Sequence, residues 1–350
     1  MARPDLTVMG GGILGLSIAW EAARRGARVR LIEAVAIGAG ASGGLVGSLA
    51  PHVPEQWNEK KAFQRDNLLM AEGWWAAVQA ASGRDPGYAR SGRLQPLADA
   101  RAVEAARARG VEAGVLWLGQ AAWRVVPAPA GWGPVSATGL VVEDTLTARI
   151  HPRRAQAALV GALRALGAEV VLGEGERVGP VVWATGVAGL LALSGDLGCA
   201  VGGGVKGQAA LLAHDAAGCP QIFANGVHIV PHGDGTVAIG STSEREWADP
   251  MATDARLDEL IACARLICPA LRDAPVLERW AGLRPRAASR SPLLGPWPGR
   301  AGEFVANGGF KIGFGMAPKI AEVMADLVLD GVDRIPASFR LEASLTQPAP

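Results

Sequence analysis

Lysine is nearly absent from this chain of 350 residues: Lys60, Lys61, Lys206, Lys311 and Lys319 are all there is, and arginine carries the basic load. Charge of one sign is also missing. The formal net charge is +1, which gives no electrostatic reason to expect nucleic acid or an acidic membrane surface as a partner. There are four cysteines, Cys199, Cys219, Cys263 and Cys268, and no C-x-x-C pair. The five histidines do not cluster with them, so neither a zinc site nor a disulfide frame is expected, and no metal is assigned. Free buried thiols and a cytoplasmic location follow as expectations, with Cys263 and Cys268 pointing to different faces of one helix. No long uninterrupted apolar run is present. The nearest approach, Val181 to Val205, holds Asp196 and many glycines, and reads as a buried strand plus loop rather than a membrane span. An export signal is not expected either, because Asp5 sits in the would-be basic region and three glycines break the apolar stretch after it.

What the chain has is glycine in informative places. Residues 7 to 34 read TVMGGGILGLSIAWEAARRGARVRLIEA. Leu6, Val8 and Met9 end a short buried strand, and Gly10, Gly12 and Gly15 form G-x-G-x-x-G. The first glycine permits a tight turn, the second removes a Cβ where a pyrophosphate approaches, and the third lets the helix lie close to the strand. Leu14, Ile18 and Ala22 share one helical face between Ile13 and Arg25, and Gly26 stops the helix. Val29 and Leu31 belong to a second parallel strand ending at Glu33, where a carboxylate can accept hydrogen bonds from an adenosine ribose. The spacing predicts a dinucleotide crossover and does not choose between NAD and FAD.

Beyond Glu33 a glycine-rich loop runs to about residue 53. A helix is predicted over Glu59 to Ala81, with Phe63, Met70, Trp74 and Val78 inward, and a polar helix over Asp99 to Arg109. GLVVED is a strand, Pro152 opens a helix that Gly167 stops, AEVVL is a strand, and VVWATG (181–186) is a short strand buried on both faces. From Gly207 the pattern turns antiparallel, with a hairpin about Asp234-Gly235. Thr253 is expected to cap a helix running to about Cys268, and VLERWAGLRPRAASRSPLLGP to be strand then loop. EFVAN is a strand followed by a glycine-rich loop and a helix, with Pro318 near its start and Gly331 past its end. The fold class expected is α/β with α+β insertions: a Rossmann-like domain with a mostly parallel sheet, plus an antiparallel-sheet substrate domain. The division expected is residues 1–50, 148–195 and 284–335 for the first, 51–147 and 196–283 for the second, and 336–350 as a tail.

In order along the chain, GGGILG with Glu33, GASGG at 40–44, VVWATG, VKGQ at 205–208, HIVPHGDGTVAIGST, WAGLRPR at 280–286 and NGGFKIGFGMAP at 307–318 resemble the D-amino-acid oxidase superfamily, nearest its glycine oxidase and sarcosine oxidase branch. The resemblance, not the glycine spacing, selects FAD over NAD, and with no cysteine near the last loop it implies a noncovalent flavin. It implies Gly10, Gly12, Ile13, Leu14 and Gly15 at the pyrophosphate, and Glu33 with Ala34 at the ribose. Ala41, Ser42, Gly43, Gly47 and Ser48 would line the flavin, and Val178 would lie near the adenine. Ala184, Thr185 and Gly186 would pass the cofactor's buried side, and Gly309, Phe310, Lys311, Ile312, Gly313 and Phe314 its pyrimidine edge. Lys311 and the following helix N-terminus would supply positive potential there.

For substrate, the resemblance implies Arg284 as a bidentate partner of a carboxylate, with His228 and Lys311 also at the substrate and Arg286 and Arg290 as rivals of Arg284. Relatives commonly offer a tyrosine hydroxyl from the hairpin; the single tyrosine here is Tyr88, and His228 stands at the matching place. The stretch between EVVL and VVWATG is short, so the chain is trimmed on that side. The implied activity is oxidation of a small amino acid of glycine, sarcosine or D-amino-acid type, with hydride leaving Cα and oxygen or another acceptor taking the electrons. A homo-oligomer is compatible with this. Two alternatives are a tRNA oxidase that removes a carboxymethyl group from a wobble uridine, and a flavin-binding subunit without turnover.

Overall fold

The computed structural model describes residues 3–346. Strand β1 (Leu6–Met9) leads through a turn into helix α1 (Ile13–Arg24), which returns to the parallel strand β2 (Val29–Glu33). The register places Val8 beside Leu31, both fully buried, so the crossover is clamped by apolar contacts on either side. These strands lie in a six-stranded sheet in the order 293–296, 303–307, 181–183, β1, β2, 169–172. All its neighbours are parallel except the edge pair 293–296 and 303–307. Against α1 pack the helices Pro152–Ala165 and Ala317–Asp330. Leu16 and Ile18 of α1 are fully buried, each worth about 1.5–3 kcal/mol of apolar burial.

A second, eight-stranded sheet runs in the order 276–287, 202–213, 236–240, 227–231, 221–224, 93–96, 140–144, 123–127. It is antiparallel apart from the pair 221–224 and 93–96. The twelve-residue strands Gly202–Ala213 and Val276–Ala287 form its long edge, and the helix Ala255–Ile267 covers one face with Leu257, Ile261 and Ala264. The mixed architecture expected from the sequence is the one observed.

Several elements differ from the sequence reading. Val181 to Val205 holds a helix, Gly186–Leu197, between its two strands, because Leu190 and Leu193 bury completely despite the glycines around them. No described helix is long and apolar enough to cross a membrane. Helix α2 (Glu59–Ser82) matches expectation, but helix α3 (Ala100–Leu116) runs past Arg109, through Gly110, which lies tight against the Trp123 carbonyl. The cap at the helix 255–267 is Asp254, not Thr253: its side chain accepts from the Arg256 N–H at 3.0 Å. That helix ends at Ile267, so Cys268 lies just past it. Residues 293–296, read as loop, are an edge strand. All four thiols are free, but only Cys268 is buried: Cys219 and Cys263 are half-buried and Cys199 is exposed.

Candidate active site

The turn after β1 is built by close backbone approach. Gly10 has φ of 107°, and a Cβ there would lie 2.5 Å from the Ala184 carbonyl oxygen. Gly12 takes the N-cap place of α1 in extended conformation with no side chain to cap it. The Ile13 N–H donates to Ser42 Oγ at 2.9 Å, tying the helix start to the loop that follows β2. Glu33 accepts from the N–H groups of Gly11 (2.6 Å) and Val35 (2.9 Å), so its carboxylate also orders the turn. Ser42 is held in turn by Gln156, whose Nε2 donates to its carbonyl at 2.7 Å. Gly47 has φ of 62° and lies so near Ile150 that a Cβ would meet that carbonyl oxygen at 1.8 Å. Backbone that hugs backbone in this way leaves a trough rather than a packed wall.

The other end of the trough is the long edge of the eight-stranded sheet. Arg284 stands on strand 276–287, opposite Val205, with Gly207 two residues further along the partner strand. Its guanidinium lies over Gly207, where a Cβ would be 1.8 Å from Nη2. A glycine inside a strand often marks such an approach, so Gly207 in VKGQ carried a signal that the sequence analysis left unused. Arg284 is 8% exposed, donates one hydrogen bond, from Nη1 to the Thr242 carbonyl at 3.2 Å, and makes no ion pair among the described residues. Burial pushes its pKa down to about 10. The imidazole of His228 stacks obliquely on Phe223, ring centroids 4.5 Å apart, and its buried Nδ1 has no partner. Burial, then the charges of Arg93 and Lys311, lowers its pKa to about 3, so it is neutral at any working pH. Lys311 is exposed to the open cavity with its ammonium 5.8 Å from the Phe310 ring centre; surrounding protein, then the Arg284 charge, lowers its pKa.

One cavity of about 1250 Å³ joins the two ends. Its wall includes Gly10, Gly12, Ile13, Leu14, Glu33, Ala34, Ala41, Ser42, Gly47, Ser48, Ala184, Thr185 and Gly186. It also includes His228, Arg284 and the run Gly309 to Phe314 with Lys311. Three anticipated residues are not on it. Gly15 packs helix on strand, as the spacing predicts and unlike the pyrophosphate role the resemblance implies, since a Cβ would meet the Gly10 carbonyl oxygen at 2.0 Å. Gly43 faces the Gly38 carbonyl in the same manner. Val178 is buried with its backbone bonded to Thr7 Oγ1, and its neighbours Gly175 and Arg177 line the cavity in its place. Trp280, Phe223, Met251 and Gln64 also line it and were not anticipated. Gln64 lies one residue beyond Phe63 of the inward stripe and carries no expectation of its own, and Trp280 lies in a motif that assigns its ring no role.

The pattern of the DAO family, FAD dependent oxidoreductase, matches residues 5–327. The chain belongs to this family. FAD is therefore its cofactor, and the trough fits it: Gly12 leaves a gap whose nearest side-chain atom is Ser42 Oγ at 3.2 Å, on the cavity wall beside Glu33. The chain is 36% identical to a glycine oxidase of Pseudomonas aeruginosa over 125 residues, 35% of this chain and 34% of that one. Thus the match spans about a third of that curated relative's length. A putative thiamine biosynthesis oxidoreductase of Rhizobium etli is 30% identical over 344 residues, 93% of this chain and 96% of that one. In fold, the crystal structure of glycine oxidase from Geobacillus kaustophilus superposes with a TM-score of 0.84 at 22% identity, covering 97% of this chain and 99% of that one.

Proposed function

We propose that the protein oxidises a small amino acid whose carboxylate is held by Arg284. The observation that carries this is a buried guanidinium on the cavity wall with one hydrogen bond and no carboxylate of its own. Leaving a charge buried and unpaired is costly, and a ligand carboxylate removes that cost through two parallel N–H···O bonds that also fix its plane. FAD, when bound, supplies the two-electron acceptor: the substrate loses its Cα hydrogen with an electron pair and a proton from nitrogen, leaving an imine that water hydrolyses. The chain's own part is positioning. Arg284 sets the carboxylate, and Gly207 permits the guanidinium to lie flat on the sheet. His228, neutral, adds a wall without adding charge, and Trp280 and Phe223 exclude water.

Arg284→Ala tests this with anaerobic flavin bleaching and steady-state kinetics on glycine, sarcosine, proline and D-amino acids. The expected loss in kcat/KM is about 30- to 1000-fold, as for truncating one partner of a buried charge pair. Arg284→Lys keeps the charge but loses the fork, and is expected to recover a small part of that loss. Unchanged kcat/KM in Arg284→Ala would remove Arg284 from the site.

A further inference from the structure

Strand 227–231 and the residue after it bring two histidines to one face of the eight-stranded sheet. His228 stands on the cavity wall, and His232, four residues on, returns to that face by strand alternation and is fully buried. Its Nε2 lies 2.9 Å from the Leu45 carbonyl oxygen. A carbonyl only accepts, so Nε2 carries the hydrogen and Nδ1 is bare. Burial holds the ring neutral, its pKa down at about 4. The charged and titratable groups that face it are His151, Asp234 and Arg149. The His151 ring is 4.7 Å away, and its Nδ1 accepts from the Arg154 N–H at 3.4 Å. Asp234 meets Arg154 at 3.2 Å and accepts from Thr236 Oγ1 at 2.7 Å. Arg149 donates to the Ala217 carbonyl at 3.1 Å. Each neighbour is engaged elsewhere, and the Leu45 carbonyl is the hydrogen-bond partner of the His232 ring.

That carbonyl belongs to the cavity wall, which Gly44, Leu45, Val46, Gly47 and Ser48 all line. Among the described residues no main-chain N–H reaches it, whereas the Gly47 carbonyl takes the Ile150 N–H at 2.9 Å. Ser48 and Leu49 then pair with Arg149 and Ala148. Backbone therefore holds one end of the run, and His232 holds its middle. The run borders the eight-stranded sheet. Val46 sits over Gly240, where a Cβ would be 2.5 Å from its Cγ2, and Gly240 pairs with His228. Trp280, on the strand of Arg284, lies 3.4 Å from where a Cβ on Gly44 would be. Flavin and substrate must meet for hydride to pass, so this end of the cavity is the one suited to the isoalloxazine.

We propose that His232 is a positioning residue for FAD: by donating to the Leu45 carbonyl it fixes the Gly44–Ser48 wall against the isoalloxazine half of the cofactor, and leaves the adenosine half to the crossover at Gly12 and Glu33. The role does not depend on which amino acid is oxidised. A buried imidazole is a poor filler for an apolar nook unless its N–H is satisfied, and without that donor the Leu45 carbonyl is left buried and unpaired.

The test compares His232→Leu, which fills the space without a donor, with His232→Gln, whose amide N–H can replace the imidazole's. FAD binding to the full-length apoprotein is followed by flavin fluorescence, and ADP binding by calorimetry. His232→Leu is expected to weaken FAD about tenfold while leaving ADP within about twofold. His232→Gln is expected to bind FAD within about threefold of the parent and to keep the parent's visible flavin spectrum, which His232→Leu should alter. A role in packing alone gives the reverse order, since leucine suits an apolar site better than an amide does. FAD bound by His232→Leu as tightly as by the parent, or ADP weakened as much as FAD, overturns the proposal. So does FAD bound tenfold more weakly by His232→Gln than by the parent, whether or not the leucine variant folds.

Discussion

Two glycines three residues apart should fail in opposite ways. At Gly12 an added Cβ meets only Ser42 Oγ, at 3.2 Å, and the backbone has an ordinary φ of −82°. Gly12→Ala should therefore cost the apoprotein about 1 kcal/mol or less, the usual price of alanine at an N-cap. Its Cβ stands on the cavity wall, so FAD must either shift or tolerate the overlap, and affinity should fall by about 2 kcal/mol, roughly 30-fold. At Gly15 the added Cβ lands 2.0 Å from the Gly10 carbonyl oxygen. Alanine is intrinsically better in a helix by about 1 kcal/mol, but α1 cannot back away, because Leu16 and Ile18 beyond it are fully buried against neighbouring elements. The clash wins, and Gly15→Ala should destabilise the fold by about 3 kcal/mol. Urea unfolding of the two apoproteins, with FAD titration followed by flavin fluorescence, separates the cases. The reasoning is wrong if Gly12→Ala binds FAD as the parent does, or if the Gly15→Ala apoprotein unfolds at the parent's midpoint.

Two further outcomes follow from buried charge. Asp144→Asn leaves Arg93, 4% exposed, without its carboxylate at 2.8 Å, and should cost about 3–5 kcal/mol in chemical denaturation, with most of it regained when Arg93 is also replaced by Met. His228 and His232 have pKa values lowered by burial to about 3 and about 4. The unfolded chain therefore binds protons from about pH 6.5 downward that the folded chain refuses, so stability is full above that pH and declines toward pH 4 and below. His232→Gln should flatten that decline between about pH 6.5 and 4.5, above the range where carboxylates titrate; an unaltered slope refutes the assignment to the buried imidazole.

How much of this was legible in sequence depends on how far apart the cooperating residues lie. The crossover was readable because its causes are local: an apolar strand, a glycine turn, a periodic helix and a carboxylate fall within 28 residues, from Leu6 to Glu33. The helix 186–197 was not, because Gly186, Gly189 and Gly195 argue against a helix locally while the burial of Leu190 and Leu193 is a tertiary effect. Spacing did separate Gly12 from Gly15 as ligand-facing and fold-facing, and the Gly10 carbonyl's position beside Gly15 agrees with it. Val178, expected beside the adenine, lies off the cavity wall that the adjacent Arg177 lines, because its backbone is claimed by Thr7, 171 residues away.

The arginines show the limit most clearly. Arg284, Arg286 and Arg290 are indistinguishable as a run of basic residues after a strand. Strand geometry puts 284 and 286 on one face of the sheet, and the register then sets Arg284 near Gly207, where its guanidinium lies against the sheet surface. Arg286 falls two residues on, beside Phe310, and Arg290 lies beyond the strand in the exposed turn. Pairing between segments some eighty residues apart thus converts three equivalent charges into one buried on the cavity wall, one half-buried beside Phe310 and one exposed. On the proposed role of Arg284, Gly207→Ala, which displaces the guanidinium without touching its charge, is expected to abolish turnover as thoroughly as Arg284→Ala in the same kinetic assay.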